Sequence, residues 1–304
     1  MKKIIALILV LTLSIFAFAA CGNKDKDETP DNTPDTPNTP VEKNYTLALA
    51  VETTVGEDNK VSNYVAVLVL DEANKIVAAR IDCAEATATL EGEALKDTTV
   101  TTKVELGDNY SMTSGSFAKQ TKAFEDAIIG KTADEVAALD LTLVAGCTMP
   151  YSPSSFKAAV AKAFATANKT TFKTAETLTV GVAASMKIAG AKASADYAGV
   201  VIAGGKVVAA ILDSNEVAFT IDGETVTASA YTGTKADKGD SYMMPAGNWL
   251  KQAAAYSASA VGKTAAELEN LDLVSDALAQ AGCTMQNTTA GYKATIIKAA
   301  ANAR

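Results

Sequence analysis

The chain contains no histidine, so any chemistry must come from hydroxyls, thiols, carboxylates and amines. Histidine-based triads, histidine-ligated metal sites and the usual acid–base group for neutral pH are excluded. What stands out instead is a set of short blocks that occur twice. Gly107-Asp108-Asn109-Tyr110-Ser111-Met112 matches Gly239-Asp240-Ser241-Tyr242-Met243-Met244. In each block glycine marks a turn, the aspartate is placed to accept bonds from local amides, and the tyrosine and methionine precede a predicted helix. An aromatic ring and a thioether beside a helix N-terminus form either a pocket for an anion or planar ring, or a junction where sheet and helix pack. A second block, Ala145-Gly146-Cys147-Thr148-Met149, matches Ala281-Gly282-Cys283-Thr284-Met285. Neither repeated cysteine belongs to a CxxC pair, and each reads as a small buried residue at a tight Gly-Cys-Thr turn. Cys83 has Ser214 as its counterpart. An exported location permits a disulfide among 83, 147 and 283 without favouring a pairing.

Gly130-Lys131-Thr132 and Gly262-Lys263-Thr264 look like the tail of a phosphate loop. That loop needs an earlier glycine cradle and a long helix after it, whereas here a predicted helix comes first. Glycine then reads as a helix C-cap, and Thr132 with Glu135, like Thr264 with Glu267, as a capping box for the next helix. Glu105 and Asp108 could line a site or face solvent. No nucleophile–base pair repeats and no calcium-loop spacing occurs, so no catalytic residue and no metal ligand is assigned.

The elements that must position these residues are read twice. Asn63-Tyr64-Val65-Ala66-Val67 matches Asp196-Tyr197-Ala198-Gly199-Val200, and Lys75-Ile76-Val77-Ala78-Ala79 with Asp82 matches Lys206-Val207-Val208-Ala209-Ala210 with Asp213. A period of domain size indicates two tandem modules, 43–172 and 173–304, rather than a solenoid. Within the first, residues 45–54, 62–70 and 75–82 have strand character, and a further strand is expected over 98–105, matched around 224–231. Gly204-Gly205 signals a tight hairpin. Helical patterns follow at 115–129, 132–138 and 153–169, with counterparts at 247–261, 264–270 and 288–302. Phe117 and Phe124, like Trp249 and Tyr256, lie seven apart on one face and read as core. Strands first and helices afterwards predict an α+β fold: two similar modules, each an antiparallel sheet packed against C-terminal helices.

Residues 1–20 have a Lys2-Lys3 flank, an apolar run and a small-residue end, which together fit an export signal. The ending Phe18-Ala19-Ala20-Cys21 resembles the lipobox of bacterial lipoproteins. That resemblance implies a diacylated Cys21 anchoring the chain outside the cytoplasm, two acyl chains being enough for stable attachment. Residues 21–42 carry four of the seven prolines and almost no apolar side chain, and read as a solvated spacer. The formal charge of −8 argues against a nucleic-acid partner that depends on phosphate neutralisation.

The Ala-Gly-Cys-Thr-Met block and the Ala-rich helix after it resemble the end of the FMN-binding domain of bacterial surface lipoproteins. So do Tyr197-Ala198-Gly199 and the Gly-Lys-Val-Val hairpin. The chain as a whole is similar to tandem-module lipoproteins of anaerobic Firmicutes. In that family the ending reads Ser-Gly-Ala-Thr, and its threonine carries FMN through a phosphoester bond. The resemblance implies that Thr148 and Thr284 take that place. Gly146 and Gly282 would let the backbone approach the phosphate, and Tyr110 and Tyr242 would join the cofactor site. Alanine at 145 and 281 and cysteine at 147 and 283 depart from the motif. The implied function is flavin-dependent electron transfer with a membrane redox partner. The alternative is a non-catalytic surface module that has lost flavin and binds a small ligand or cell-envelope component.

Overall fold

The computed structural model describes residues 41–304, except 114, 147–152, 246, 271, 273–282, 284 and 286–288. The export signal, Cys21 and nearly all of the spacer lie outside the described residues, as do Cys147, Thr148, Gly282 and Thr284. Residues 40–304 form one compact unit.

Three long strands open the first copy: β1 (Lys43–Val55), β2 (Lys60–Leu70) and β3 (Ile76–Thr87). A small hairpin of β4 (Leu90–Glu91) and β5 (Ala94–Leu95) follows, then β6 (Thr98–Val100). A second small hairpin, β7 (Ser111–Met112) and β8 (Gly115–Ser116), leads into α1 (Phe117–Ile128), α2 (Ala133–Ala137) and α3 (Pro153–Ala165). β9 (Lys169–Thr174) leads to the second copy, which repeats the order with β10 (Leu178–Ala189), β11 (Lys192–Ala203), β12 (Lys206–Asp222) and β13 (Thr225–Ala228). β14 (Met243–Met244), β15 (Gly247–Asn248), α4 (Trp249–Ala258), α5 (Ala265–Asn270) and α6 (Thr289–Ala301) complete it.

The fold is α+β, with two antiparallel sheets each flanked by its own helices. The first sheet runs β3-β2-β1-β9 and the second β13-β12-β11-β10-β6. The other face of each sheet, whose burial the sequence reading did not anticipate, packs on the second sheet. Leu47, Leu49 and Val51 of β1 share one core with Val180, Val182 and Ala184 of β10. Ala50 and Ala66 turn outward to Phe124 and Phe156 of the helices, and Ala183 and Val200 turn to Trp249 and Ile296. Four layers result, helix–sheet–sheet–helix. A strand buried on both faces has no polar side, which is why β2 reads YVAVLVL without alternation.

The copies also exchange elements. β9, which spans the 172/173 boundary, pairs with β1, and β6 of the first copy pairs with β10 of the second. Lys162 of α3 bonds the Val51 carbonyl and reaches Asp237 of the second copy at 2.6 Å. Reciprocally, Lys298 of α6 bonds the Ala184 carbonyl and reaches Glu105 of the first copy at 2.5 Å. A buried polar knot sits between the sheets. Asn215 Nδ2 donates to Thr53 Oγ1 (2.8 Å) and Asn63 Oδ1 (2.9 Å), and the Tyr197 hydroxyl donates to Asn215 Oδ1 (3.0 Å).

Two expectations need revision. The strand expected over 98–105 stops at Val100, because residues 102–106 turn around a buried aspartate. Matching Tyr64 to Tyr197 also pairs residues on opposite faces. Tyr64 meets Phe156 edge-on in the helix-side core, whereas Tyr197 lies between the sheets. The first hairpin closes over Gly56–Asn59 and the second over Gly190-Ala191, and a one-residue slip inverts every side chain of a strand.

Candidate functional site

The polar residues common to both copies are used within the fold. Asp82 is buried, accepting from the Cys83 and Val104 amides and from the Thr102 hydroxyl. Asp213 does the same with Ser214, Ala236 and Thr234. Each carboxylate thus organises the turn that carries the Gly-Asp-x-Tyr block. Burial pushes Asp82 up to about 6 and Asp213 up to about 7, the hydrogen bonds opposing it. A carboxyl free in the unfolded chain titrates near ~4. Between about pH 4 and about 7 the folded protein therefore holds protons that the unfolded chain has released, and these two groups lose stability for it as pH rises through that window. Asp82→Asn with Asp213→Asn should remove that decline, a difference on the order of 2–4 kcal/mol for each of the two groups at pH 8 relative to pH 4. Urea midpoints measured across that range for both proteins provide the check.

Gly130 and Gly262 adopt φ of 77° and 82° and end the helices before them. Their amides donate to the Ile76 and Val207 carbonyls, so they are not free to cradle a phosphate. Thr132 and Glu135 form the reciprocal capping box, and Thr264 and Glu267 repeat both bonds. Thr132→Ala should lower stability by about 1 kcal/mol, read as a shifted denaturant midpoint with an unchanged slope.

Tyr110 is half-buried, edge-on to Phe117 at 5.9 Å with the Lys103 ammonium 4.9 Å over its ring. Tyr242 has Lys235 and Lys238 each 5.7 Å from its ring centre. Both rings are thus partly engaged by neighbouring side chains at the sheet–helix junction. Asp108 pairs with Lys119 at the surface, while Glu105 turns to Lys298, so the two carboxylates do not converge. Gly146 is exposed at φ 76°. Cys283 and Met285 are buried in the helix-side core of the second copy. Cys83 and Cys283 are free thiols in different cores, and burial pushes the Cys83 thiol upward. Phe117, Phe124, Trp249 and Tyr256 are core residues as expected. Among the described residues no three metal-ligating side chains cluster, and no helix is long and apolar enough to cross a membrane.

The most informative site is one where the copies differ. Both arginines of the chain, Arg80 and Arg304, converge on Glu125 of α1, each 3.2 Å from its Oε2. Glu125 is 2% exposed, and its Oε1 accepts from the Ile81 amide at 2.9 Å. Arg80 in turn donates to the Ala79 carbonyl at 2.7 Å and to the Arg304 carbonyl. The cluster closes the outer edge of β3 with charge. Burial holds the Glu125 carboxyl above and the Arg80 guanidinium below their ordinary ranges, each opposed by the other's charge.

In the second copy Ile211 stands where Arg80 does and Ser257 where Glu125 does. Here lies a cavity of about 210 Å³ between α4, the outer edge of β12 over Val208–Leu212, and the chain entering β9. Ser257 lines it, 1% exposed, with its hydroxyl lacking any partner. Arg80, Glu125, Arg304, Ile211 and Ser257 belong to no repeated motif, so nothing in the repeats points to them. The available signal was the rarity of arginine combined with the failure of Arg80 and Glu125 to repeat.

No protein-family model matches the chain, and neither a curated protein nor a solved structure shows significant similarity to it.

Proposed function

We propose that the chain is an extracytoplasmic lipoprotein, held to the membrane by Cys21, whose duplicated sandwich serves as a non-catalytic module that binds a small ligand. The observation that carries this reading is the use of the shared polar groups. Asp82, Asp213, Thr132 and Thr264 are satisfied inside the fold, so the shared polar groups among the described residues serve structure, while one copy keeps a cleft. Two acyl chains and a polar spacer would hold the sandwich off the membrane while leaving its surface accessible. Cys21→Ser should release the protein into the medium, and wild type should take up labelled palmitate where the variant does not.

Flavin-dependent electron transfer is the second reading. The exposed, left-handed Gly146, two positions before Thr148 in the sequence, favours it, because its backbone is open to a phosphate. FMN, if bound, would supply the redox chemistry, with Thr148 and Thr284 as the attachment points implied by the resemblance. An absorbance spectrum and intact mass of the mature protein, exported by a host with an active flavin transferase, separate the two. The binding reading expects a colourless chain. Absorbance near ~450 nm with about 438 Da added per site would overturn it in favour of the flavoprotein.

A further inference from the structure

We infer that the cleft beneath α4 in the second copy is a binding site for a short, uncharged, extended peptide, of about one or two residues, taken up against the free edge of β12. This rests on the binding-module reading and names its ligand class.

The argument starts from the filled counterpart. In the first copy the edge of β3 offers an amide donor at Ile81 and a carbonyl acceptor at Ala79. Glu125 takes the first and Arg80 the second. The same edge positions in the second copy are Leu212 and Ala210, and the side chains opposite them are Ser257 and Ile211. Neither can replace a carboxylate–guanidinium pair. β12 has β11 on one side over Lys206–Ala218, and β13 covers only Phe219–Asp222 on the other. Asn168 Nδ2 donates to the Leu212 carbonyl at 3.0 Å, which closes that end of the edge. Among the described residues neither the Leu212 amide nor the Ala210 carbonyl is bonded across this edge, and the buried Ser257 hydroxyl has no partner.

A ligand that both accepts from Leu212 N–H and donates to the Ala210 carbonyl is matched by the C=O and N–H of the two peptide units flanking one residue of an extended chain, the pairing by which such a chain adds to a sheet edge. The ligand is neutral because the walls of the cleft on β12 and α4 carry no charged side chain. Lys169, the charged side chain on its rim, is exposed and directs its ammonium to the Phe164 carbonyl. An ionised group would lose hydration there without compensation. On α4 the wall is Leu250, Ala254 and Ala258 where the first copy has Ala118, Lys122 and Asp126, which favours a small apolar side chain. A volume of 210 Å³ lies below the ~300 Å³ at which pockets for drug-sized ligands begin, and this sets the length.

The test is titration of the isotope-labelled folded protein with N-acetyl-alanyl-alanine methylamide, followed by amide NMR. Saturable shifts at Leu212 and Ser257 are expected. The double variant Ile211→Arg/Ser257→Glu, which installs the first copy's residues, should weaken binding at least tenfold. Ala258→Trp, which blocks the mouth from an exposed position and leaves the core untouched, should do the same. Absence of shifts at millimolar peptide, or binding undiminished in both variants, overturns the site. Tighter binding of N-acetyl-alanyl-alanine with its free carboxylate overturns the neutral class. A ligand of another chemistry whose binding neither variant alters would sink this inference and leave the binding-module reading standing. A flavin spectrum would sink that reading itself.

Discussion

Gly181→Ala is expected to cost at least ~3 kcal/mol and to be the most damaging single methyl group that can be added to the protein. A Cβ built on Gly181 of β10 falls 1.8 Å from the Ala299 carbonyl oxygen and 3.0 Å from the Ala303 amide nitrogen. Both are backbone atoms of α6 and the turn after it, so no rotamer change relieves the contact and the helix must lift from the sheet. Lifting it would also disturb Lys298, which ties α6 to the Ala184 carbonyl and to Glu105. Gly199 is the internal comparison. A Cβ there meets the methyls of Val67 and Ile211 at 2.9–3.0 Å, a tight contact with side chains rather than with backbone. Gly199→Ala should therefore be clearly milder than Gly181→Ala. Guanidinium unfolding of the two variants side by side tests the ranking, and equal losses would contradict it.

Glu125→Ala should cost about 3–5 kcal/mol, because it leaves a buried guanidinium unpaired and the Ile81 amide without an acceptor. Among the described residues Arg80 pairs with no other acid, Asp126 acting on it only at longer range, and its Nε already lacks a partner. Arg80→Ile combined with Glu125→Ser recreates the second copy's residues in the first. Since the desolvation cost disappears with both charges, the double variant should recover most of the loss. A double-mutant cycle with a coupling of about 2 kcal/mol or more is the expected result. Additive losses would mean that the two residues act independently.

The fold was legible where side-chain periodicity changes from two to that of a helix. Strand and helix positions emerged in order, because Val- and Ala-rich runs ended at Gly-Glu-Asp-Asn, Asp-Glu-Ala-Asn and Gly-Gly turns. In the structure Asn59, Asn74, Gly204 and Gly205 indeed take positive φ. The capping boxes were legible because they are local. The stacking of the two sheets was hidden for a physical reason. Leu47 and Ala48 are both buried, one against a sheet and the other near a helix, so the alternation that would reveal two different neighbours is absent. The ionic cluster was hidden because Arg80, Glu125 and Arg304 are brought together only by tertiary packing. Tyr110 and Tyr242 could be placed beside the helix start, but only the packing of Lys103, Lys235 and Lys238 on their rings decides what those rings touch.

The reciprocal ties of Lys162 to Asp237 and Lys298 to Glu105, with β6 and β9 crossing between the sheets, make the sandwich a pseudo-symmetric pair written on one polypeptide. In a true pair of identical chains, every substitution arrives twice, once on each side of the axis. An ionic cluster could then be traded for a cleft only at both places together, with the loss of stability doubled. On a single chain the exchange arrives once. The half that keeps Arg80 and Glu125 stays sealed along its edge, while the half with Ile211 and Ser257 is free to open. Covalent joining thus converts a symmetric scaffold into one able to divide labour, one half bracing the structure and the other departing from it.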